Sequence, residues 1–210
     1  MNGRDQIGFS VAQTTTRNGA RCSTAKAYLG TAKGRPNLHT LLFAFVVKIL
    51  FNERKEATGV IFDRFGERLT VFARKEVILS AGSINSPKLL MLSGIGPRRQ
   101  LQQHGISVLA DLPGVGENLQ DHVYPVGINF LLDKSKKKPN EQWAYIESDV
   151  LTIPNLSNWI LFGTGPLGAA SGLEGTAFIR TSFANQSMPD YPDYQILFIS
   201  GCLNAGKGLA

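Results

Sequence analysis

The sequence predicts a mixed α/β chain in two parts, and three observations carry that reading. Residues 76–96, Glu76-Val-Ile-Leu-Ser-Ala-Gly-Ser-Ile-Asn-Ser-Pro-Lys-Leu-Leu-Met-Leu-Ser-Gly-Ile-Gly96, join an apolar run, a small-residue corner and a helix pattern without a break. Ahead of them, residues 38–80 alternate strand-like runs with polar connections. Beyond residue 123 the composition shifts, and the runs 175–181 and 194–200 read as two strands of a second sheet.

Taken in order, residues 1–35 read as an extended lead-in followed by a helix over 23–29, with Gly30 as its stop and Arg35-Pro36-Asn37 as a turn. Strands are expected at 40–51, 58–63, 69–73 and 77–80, the first three joined as hairpins through the polar stretch 52–56 and through Gly66. Val77, Ile78 and Leu79 suit a strand covered on both faces. That strand stops at Ala81-Gly82-Ser83, where side chains are too small to keep a ligand from the main chain. Ser86 then reads as an N-cap with Pro87 at the first helical position, and Gly94 as a left-handed end. A helix start beside a glycine corner attracts anions, because its first N–H groups have no intrahelical acceptor.

A second short helix is expected at 97–104, ended by Gly105, then a strand at 106–109 and a turn at Pro113-Gly-Val-Gly116. The boundary falls near 122–125 and divides the chain into 1–123 and 124–210. In the second part 126–132 reads as a strand, 134–138 as a solvated lysine loop, and 154–162 as an amphipathic helix closed by Gly163.

The bulk properties narrow the field less. With 210 residues, 43% of them hydrophobic, the chain can bury a core. Its net charge of +6 is spread along the sequence without aromatic interleaving, which argues against a nucleic-acid surface. The most apolar run, 41–51, carries Lys48 at its centre and is too short for a bilayer, which takes about 20 residues, so no membrane span is expected. Residues 1–6 contain no apolar core of a signal peptide. Cys22 and Cys202 lack metal-ligand spacing and read as two unrelated thiols. Asn155-Leu-Ser157 and Asn185-Gln-Ser187 are glycosylation sequons, compatible with secretion of the parent protein.

The run from Gly82 to Gly96 resembles the second signature of the glucose-methanol-choline (GMC) oxidoreductases, flavoproteins that oxidise alcohols. The resemblance extends through Asp111-Leu-Pro-Gly-Val-Gly-Glu-Asn-Leu-Gln-Asp-His122 and, upstream, through Thr15-Thr-Arg-Asn-Gly-Ala-Arg-Cys-Ser-Thr-Ala-Lys-Ala-Tyr-Leu29, whose wording is similar to the insect glucose dehydrogenase-like branch. It implies an incomplete FAD-binding Rossmann-like domain with a β-meander, followed by part of an α+β substrate-binding domain. It further implies FAD as cofactor, a small alcohol or sugar as substrate, and a quinone or another electron acceptor. The G-x-G-x-x-G spacing of the family's glycine fingerprint, and its catalytic histidine near the C-terminus, are read as missing, so the chain is expected to be an internal segment.

For Ala81, Gly82 and Ser83 the resemblance implies close main-chain approach to FAD; a tight turn needing small residues for packing explains the same letters. Asn85 and Ser86 fit polar groups beside the flavin, and capping also explains Ser86. Val46 matches a valine whose backbone meets the FAD adenine in related enzymes, and it equally fits an ordinary core strand. No catalytic residue is assigned. Asp121 beside His122 suggests an oriented base, but adjacent residues point apart, and neither His39 nor His104 has a partner in sequence. Gly163-Thr-Gly-Pro-Leu-Gly168 lacks the preceding strand and closing Lys-Ser or Lys-Thr of a phosphate loop and is read as a turn at the edge of the substrate domain, and the resemblance implies a part in shaping substrate access. The rival readings are a catalytically silent remnant or binding module on the same scaffold and, disfavoured, an NAD-dependent dehydrogenase.

Overall fold

The computed structural model describes residues 5–124, 133–136, 138, 147–168 and 173–200. The chain falls into two compact units, Pro36–Tyr124 and Met1–Arg35 with Pro125–Ala210. The expected division placed residues 1–35 with the first part, whereas β1 (Gly8–Val11) pairs with a strand near the C-terminus.

The unit of residues 1–35 and 125–210 opens with β1, followed by a two-stranded ribbon, β2 (Thr16–Arg17) and β3 (Ala20–Arg21). Asn18 and Gly19 form its turn, both at positive φ (52° and 66°), the conformation an Asn-Gly pair adopts at least cost. The helix expected at 23–29 is a π-helical turn, Ala25–Leu29, in which the Gly30 N–H donates to the Ala25 carbonyl. Gly30 follows it in a right-handed conformation (φ −59°).

The other unit carries an antiparallel meander, β4 (Phe45–Phe51), β5 (Ala57–Arg64) and β6 (Glu67–Phe72). Asn52 Oδ1 organises the first connection by accepting the N–H groups of Arg54 and Glu56. Phe65 and Gly66, at φ 50° and 86°, turn the second. The segment 40–44 stays outside β4, where Phe43 takes a φ of 57° that interrupts any extension of the strand. Helix α1 (Gly82–Leu92) packs against β4, and Ile49, Phe62, Leu89 and Leu101 form the buried core. Then β7 (Ile95–Gly96), α2 (Arg98–Gln103) and β8 (Ala110–Asp111) form a small parallel crossover. Pairing begins only at Ala110, so 106–109 is a connection rather than a strand.

The strand expected at 77–80 is not formed. Among the described residues no neighbouring strand bonds to this stretch, and Ile78 is 79% exposed, so the apolar run has neither the ladder nor the cover that would make it a buried strand.

After Tyr124 the strand expected at 126–132 lies outside the described residues. Short α3 (Glu147–Val150) precedes α4 (Ile153–Phe162), whose N-terminus is capped by Thr152 Oγ1 and whose C-terminus is closed by Gly163 at φ 65°. β9 (Leu173–Ile179) and β10 (Tyr194–Ile199) pair antiparallel, and β1 adds to the other side of β9, giving the order β1-β9-β10. The Trp159 indole N–H donates to the Gly19 carbonyl at 2.7 Å and ties α4 to the Asn-Gly ribbon.

Candidate functional site

The corner that leads into α1 is open. Ala81, Gly82, Ser83, Ile84 and Asn85 are all exposed. Gly82 stands at φ 90°, a conformation that strains any L side chain, yet a Cβ built there meets no atom within 4 Å. Its glycine is therefore required by the path of the backbone and not by packing among the described residues. That separates two readings that the letters alone leave joined.

The helix begins earlier than Ser86. Gly82 turns the chain directly into helical geometry, so Ala81 is the N-cap residue and Pro87 lies inside the helix. Ser86 instead reaches backwards, its Oγ accepting the Ala81 N–H at 3.1 Å. Among the described residues no side chain caps the N-terminus, and no acidic residue lies in the first turn. The first N–H groups of an α-helix have no intrahelical acceptor, and those of Gly82, Ser83 and Ile84 carry the positive end of the helix dipole into open space. Ser83 and Asn85 make no side-chain hydrogen bond with the described residues.

The far end of α1 is fixed firmly. Ser93 is 7% exposed, donates to the Leu89 carbonyl at 2.7 Å, and accepts the Ile49 N–H of β4 at 2.8 Å. Gly94 leaves the helix at φ 89°, where a Cβ would stand 2.6 Å from the Ser107 carbonyl oxygen. Sequence reasoning finds Gly94 but misses Ser93. Its signal is a serine just before the helix-ending glycine, which reads as ordinary helix surface until β4 is placed beside it.

Val46 lies half-buried on β4, opposite Phe62 of β5. The register slips between Val46 and Lys48, so Val47 forms a bulge beside it. β4 is the edge of its three-stranded sheet, which leaves alternate backbone groups facing away from β5, as main-chain recognition of a base requires. The turn 113–116 is formed and lies against α1: a Cβ on Gly116 would meet Met91 Cε at 3.6 Å and Pro87 Cβ at 3.8 Å.

Asp121 and His122 do not form an acid–base pair here; the carboxylate Oδ1 accepts the backbone N–H of His122 at 2.8 Å. Gly163-Thr-Gly-Pro-Leu-Gly168 corrects one expectation, since it does carry the G-x-G-x-x-G spacing that was read as missing. It follows helix α4 instead of a strand and leads into the 3₁₀ turn Pro166–Gly168. Its outer glycines serve packing: a Cβ on Gly163 would lie 2.6 Å from the Asn18 carbonyl oxygen, and one on Gly168 3.1 Å from Gly19 Cα, while Gly165 answers to its φ of 90°. This is not the context in which that spacing holds a pyrophosphate.

The residues of the α1 corner suit a nucleotide cofactor. Among the described residues they offer uncapped amides, a glycine with space above it, and two polar side chains without partners, with no carboxylate in the first turn to repel a phosphate.

The family model described as GMC oxidoreductase matches residues 1–124. The chain is 37% identical to glucose dehydrogenase [FAD, quinone] of Drosophila melanogaster over 212 residues, covering 99% of this chain and 32% of that protein. It is 42% identical to oxygen-dependent choline dehydrogenase of Brucella canis over 199 residues, covering 94% and 34%. The chain thus spans about a third of the length of the curated relatives it matches. Among solved structures, formate oxidase of Aspergillus oryzae superposes with a TM-score of 0.68 at 27% identity, covering 93% of this chain and 36% of that one. A fungal aryl-alcohol oxidase superposes at 0.67 and 28% identity, covering 84% and 30%. With more than half its residues matched by the family model, a mixed α/β fold shared with these flavoenzymes, and the signature corner in place, the chain belongs to the GMC oxidoreductase family.

Proposed function

We propose that this chain is the cofactor-holding segment of an FAD-dependent oxidoreductase that acts on the CH–OH group of a small alcohol or sugar and passes the electrons to a quinone or another acceptor. The observation that carries this reading is the bare start of α1, where Gly82 at φ 90° turns the backbone and nothing crowds it. The amides of Gly82, Ser83 and Ile84 orient a phosphate, and the hydroxyl of Ser83 and the amide of Asn85 offer it neutral donors. The outer edge of β4 at Val46 offers backbone hydrogen bonds to the adenine. Ala81 adds only a methyl group at the corner, and Ser86 holds the Ala81 N–H so that the turn stays in register. FAD, when bound, supplies the hydride acceptor. We assign no general base to His39, His104 or His122, and the segment alone is read as inactive. The names of the Drosophila and Brucella relatives, with FAD, quinone and choline in them, support the cofactor and the alcohol class.

The test is a chimera in which this chain replaces the aligned segment of the Drosophila enzyme. It is expected to purify yellow and to reduce a quinone with an alcohol or sugar donor. The same chimera carrying Gly82→Val is expected to fold, as judged by circular dichroism, but to lose bound flavin. A folded chimera without flavin, or a Gly82→Val form that stays yellow, overturns the assignment. So does turnover by the chain on its own for the reading that the segment is inactive.

A further inference from the structure

Two sequons lie in the chain, and the fold treats them in opposite ways. Asn155 sits in the first turn of α4, its backbone N–H donating to Thr152 Oγ1 at 3.3 Å and its side-chain Nδ2 to the Val150 carbonyl at 3.1 Å. Its amide is committed to holding the helix start, and Ser157 follows on helical backbone. A helix cannot open into the extended loop that a transferase must grip without losing these bonds.

Asn185 is placed for the opposite purpose. It is exposed on the loop between β9 and β10, and its Oδ1 accepts both the backbone N–H of Ser187 at 3.0 Å and the Ser187 hydroxyl at 2.9 Å. This is an Asx turn that brings the sequon hydroxyl onto the acceptor's own amide. Two donors on Oδ1 fix the rotation of the amide and hence which way Nδ2 faces. The Nδ2 donors themselves have no partner among the described residues. Buried Ala184 pins the loop from below, and the Arg180 guanidinium donates to the Asn185 carbonyl at 3.0 Å and to Gln186 Oε1 at 3.2 Å. Thr181 and Asp193 close its base through two hydrogen bonds of 2.8 and 2.6 Å. Two positions before the acceptor, Phe183 is 94% exposed. A bare aromatic ring at that place offers apolar surface that the C–H face of a sugar ring can cover.

We propose that Asn185 is an N-glycan acceptor and that Asn155 is not. The donor is a polyisoprenyl diphosphate-linked oligosaccharide. The Nδ2–C1 glycosidic bond forms as the C1–oxygen bond to the diphosphate breaks; the diphosphate leaves with the bonding electron pair, and one amide proton passes to a base of the transferase. Glycosylation at this site places the β9–β10 loop on the outside of the mature protein.

The chain, preceded by a secretory leader and expressed in insect cells, tests this by gel mobility before and after treatment with peptide N-glycosidase, and by mass spectrometry of the released peptide. One glycosidase-sensitive step is expected, with deamidation marking Asn185. Asn185→Gln and Ser187→Ala are each expected to abolish the step, Ser187→Thr to raise its occupancy, and Asn155→Gln to leave it unchanged. A secreted chain without glycan, or a glycan removed by Asn155→Gln and kept by Asn185→Gln, overturns the proposal. Should the chain with its leader fail to fold, the same variants in the Drosophila chimera give the same readout, and a chimera with no glycan at Asn185 likewise overturns it.

Discussion

Helices α1 and α4 are near equals in length and opposites at their starts. α4 follows the local rules at both ends: Thr152 caps it, Pro154 sits in the first turn, and Gly163 closes it left-handed. It buries no residue completely, so its existence is specified by its own letters. α1 buries Leu89, is bolted to β4 through Ser93, and begins with no cap at all. Even the six-residue α2 is better provided, since Asp111 Oδ1 accepts the Arg98 N–H and Oδ2 the Arg98 guanidinium. A fold that caps α2 and α4 and leaves bare the start of α1 fits the proposal that those amides meet a cofactor phosphate. Departures from local rules concentrate where function needs them.

If α1 is held from its far end, that end should be the most sensitive point. Ser93→Ala leaves the Ile49 N–H buried without an acceptor and is expected to destabilise the unit by about 1–3 kcal/mol, read from urea denaturation. Gly82→Ala should come next. There is room for the methyl group, so the cost is the left-handed conformation alone, about 1–2 kcal/mol. Thr152→Ala removes the α4 cap and should cost about 1 kcal/mol. Were Thr152→Ala to prove the most damaging of the three, the claim that α1 depends on its C-terminal anchor would be lost.

Legibility follows the same division. The meander is readable because each pairing is local: alternating runs, a polar connection at Asn52 and a glycine at 66 suffice to fold β4, β5 and β6 on one another. α4 is readable from its caps. What escapes is whatever depends on distant residues. Nothing in Gly8–Val11 says that its partner is β9, more than 150 positions away, and the lead-in is therefore grouped by sequence with the wrong neighbours. Asn18-Gly19, by contrast, is a local hairpin signal that an extended lead-in overlooks. Val77, Ile78 and Leu79 have the composition of a buried strand, but a strand is defined by a ladder that no other described segment supplies. The start of α1 is misplaced because Pro87 ordinarily marks a first helical residue, and because the freedom of Gly82 to turn the chain earlier does not show in propensity. The letters of the corner are recognisable at once. That Gly82 answers to backbone path and not to packing among the described residues takes the empty space above it to show.

The capped helix α2 supplies a pH test of the contrast. The backbone N–H of Arg98, and then its guanidinium, hold the Asp111 carboxyl below its ordinary value of 3.8. A carboxyl lowered on folding contributes stability that is present above the unfolded pKa and is lost as pH falls through the folded one. The unit should therefore soften below about pH 3.8 in a manner that Asp111→Asn reduces, the Asp63–Arg68 pair supplying the remainder, measured as thermal midpoint against pH. No such dependence is expected from the start of α1, which has no carboxylate to protonate.

Giving α1 the charge it lacks turns the comparison into its sharpest test. Ser83 stands in the first turn, exposed and without a partner among the described residues, so Ser83→Asp sets a carboxylate against the positive end of the dipole and should stabilise the helix by about 0.3–1 kcal/mol. The same charge would face a cofactor phosphate across an open corner, and like charges there repel. In the chimera the variant should therefore melt higher and purify colourless, two changes that a merely damaged protein cannot show together. If Ser83→Asp raises stability and keeps the flavin, the bare amides of α1 do not meet a phosphate. The missing cap would then be an accident of the sequence, whatever the rest of the family does at this turn.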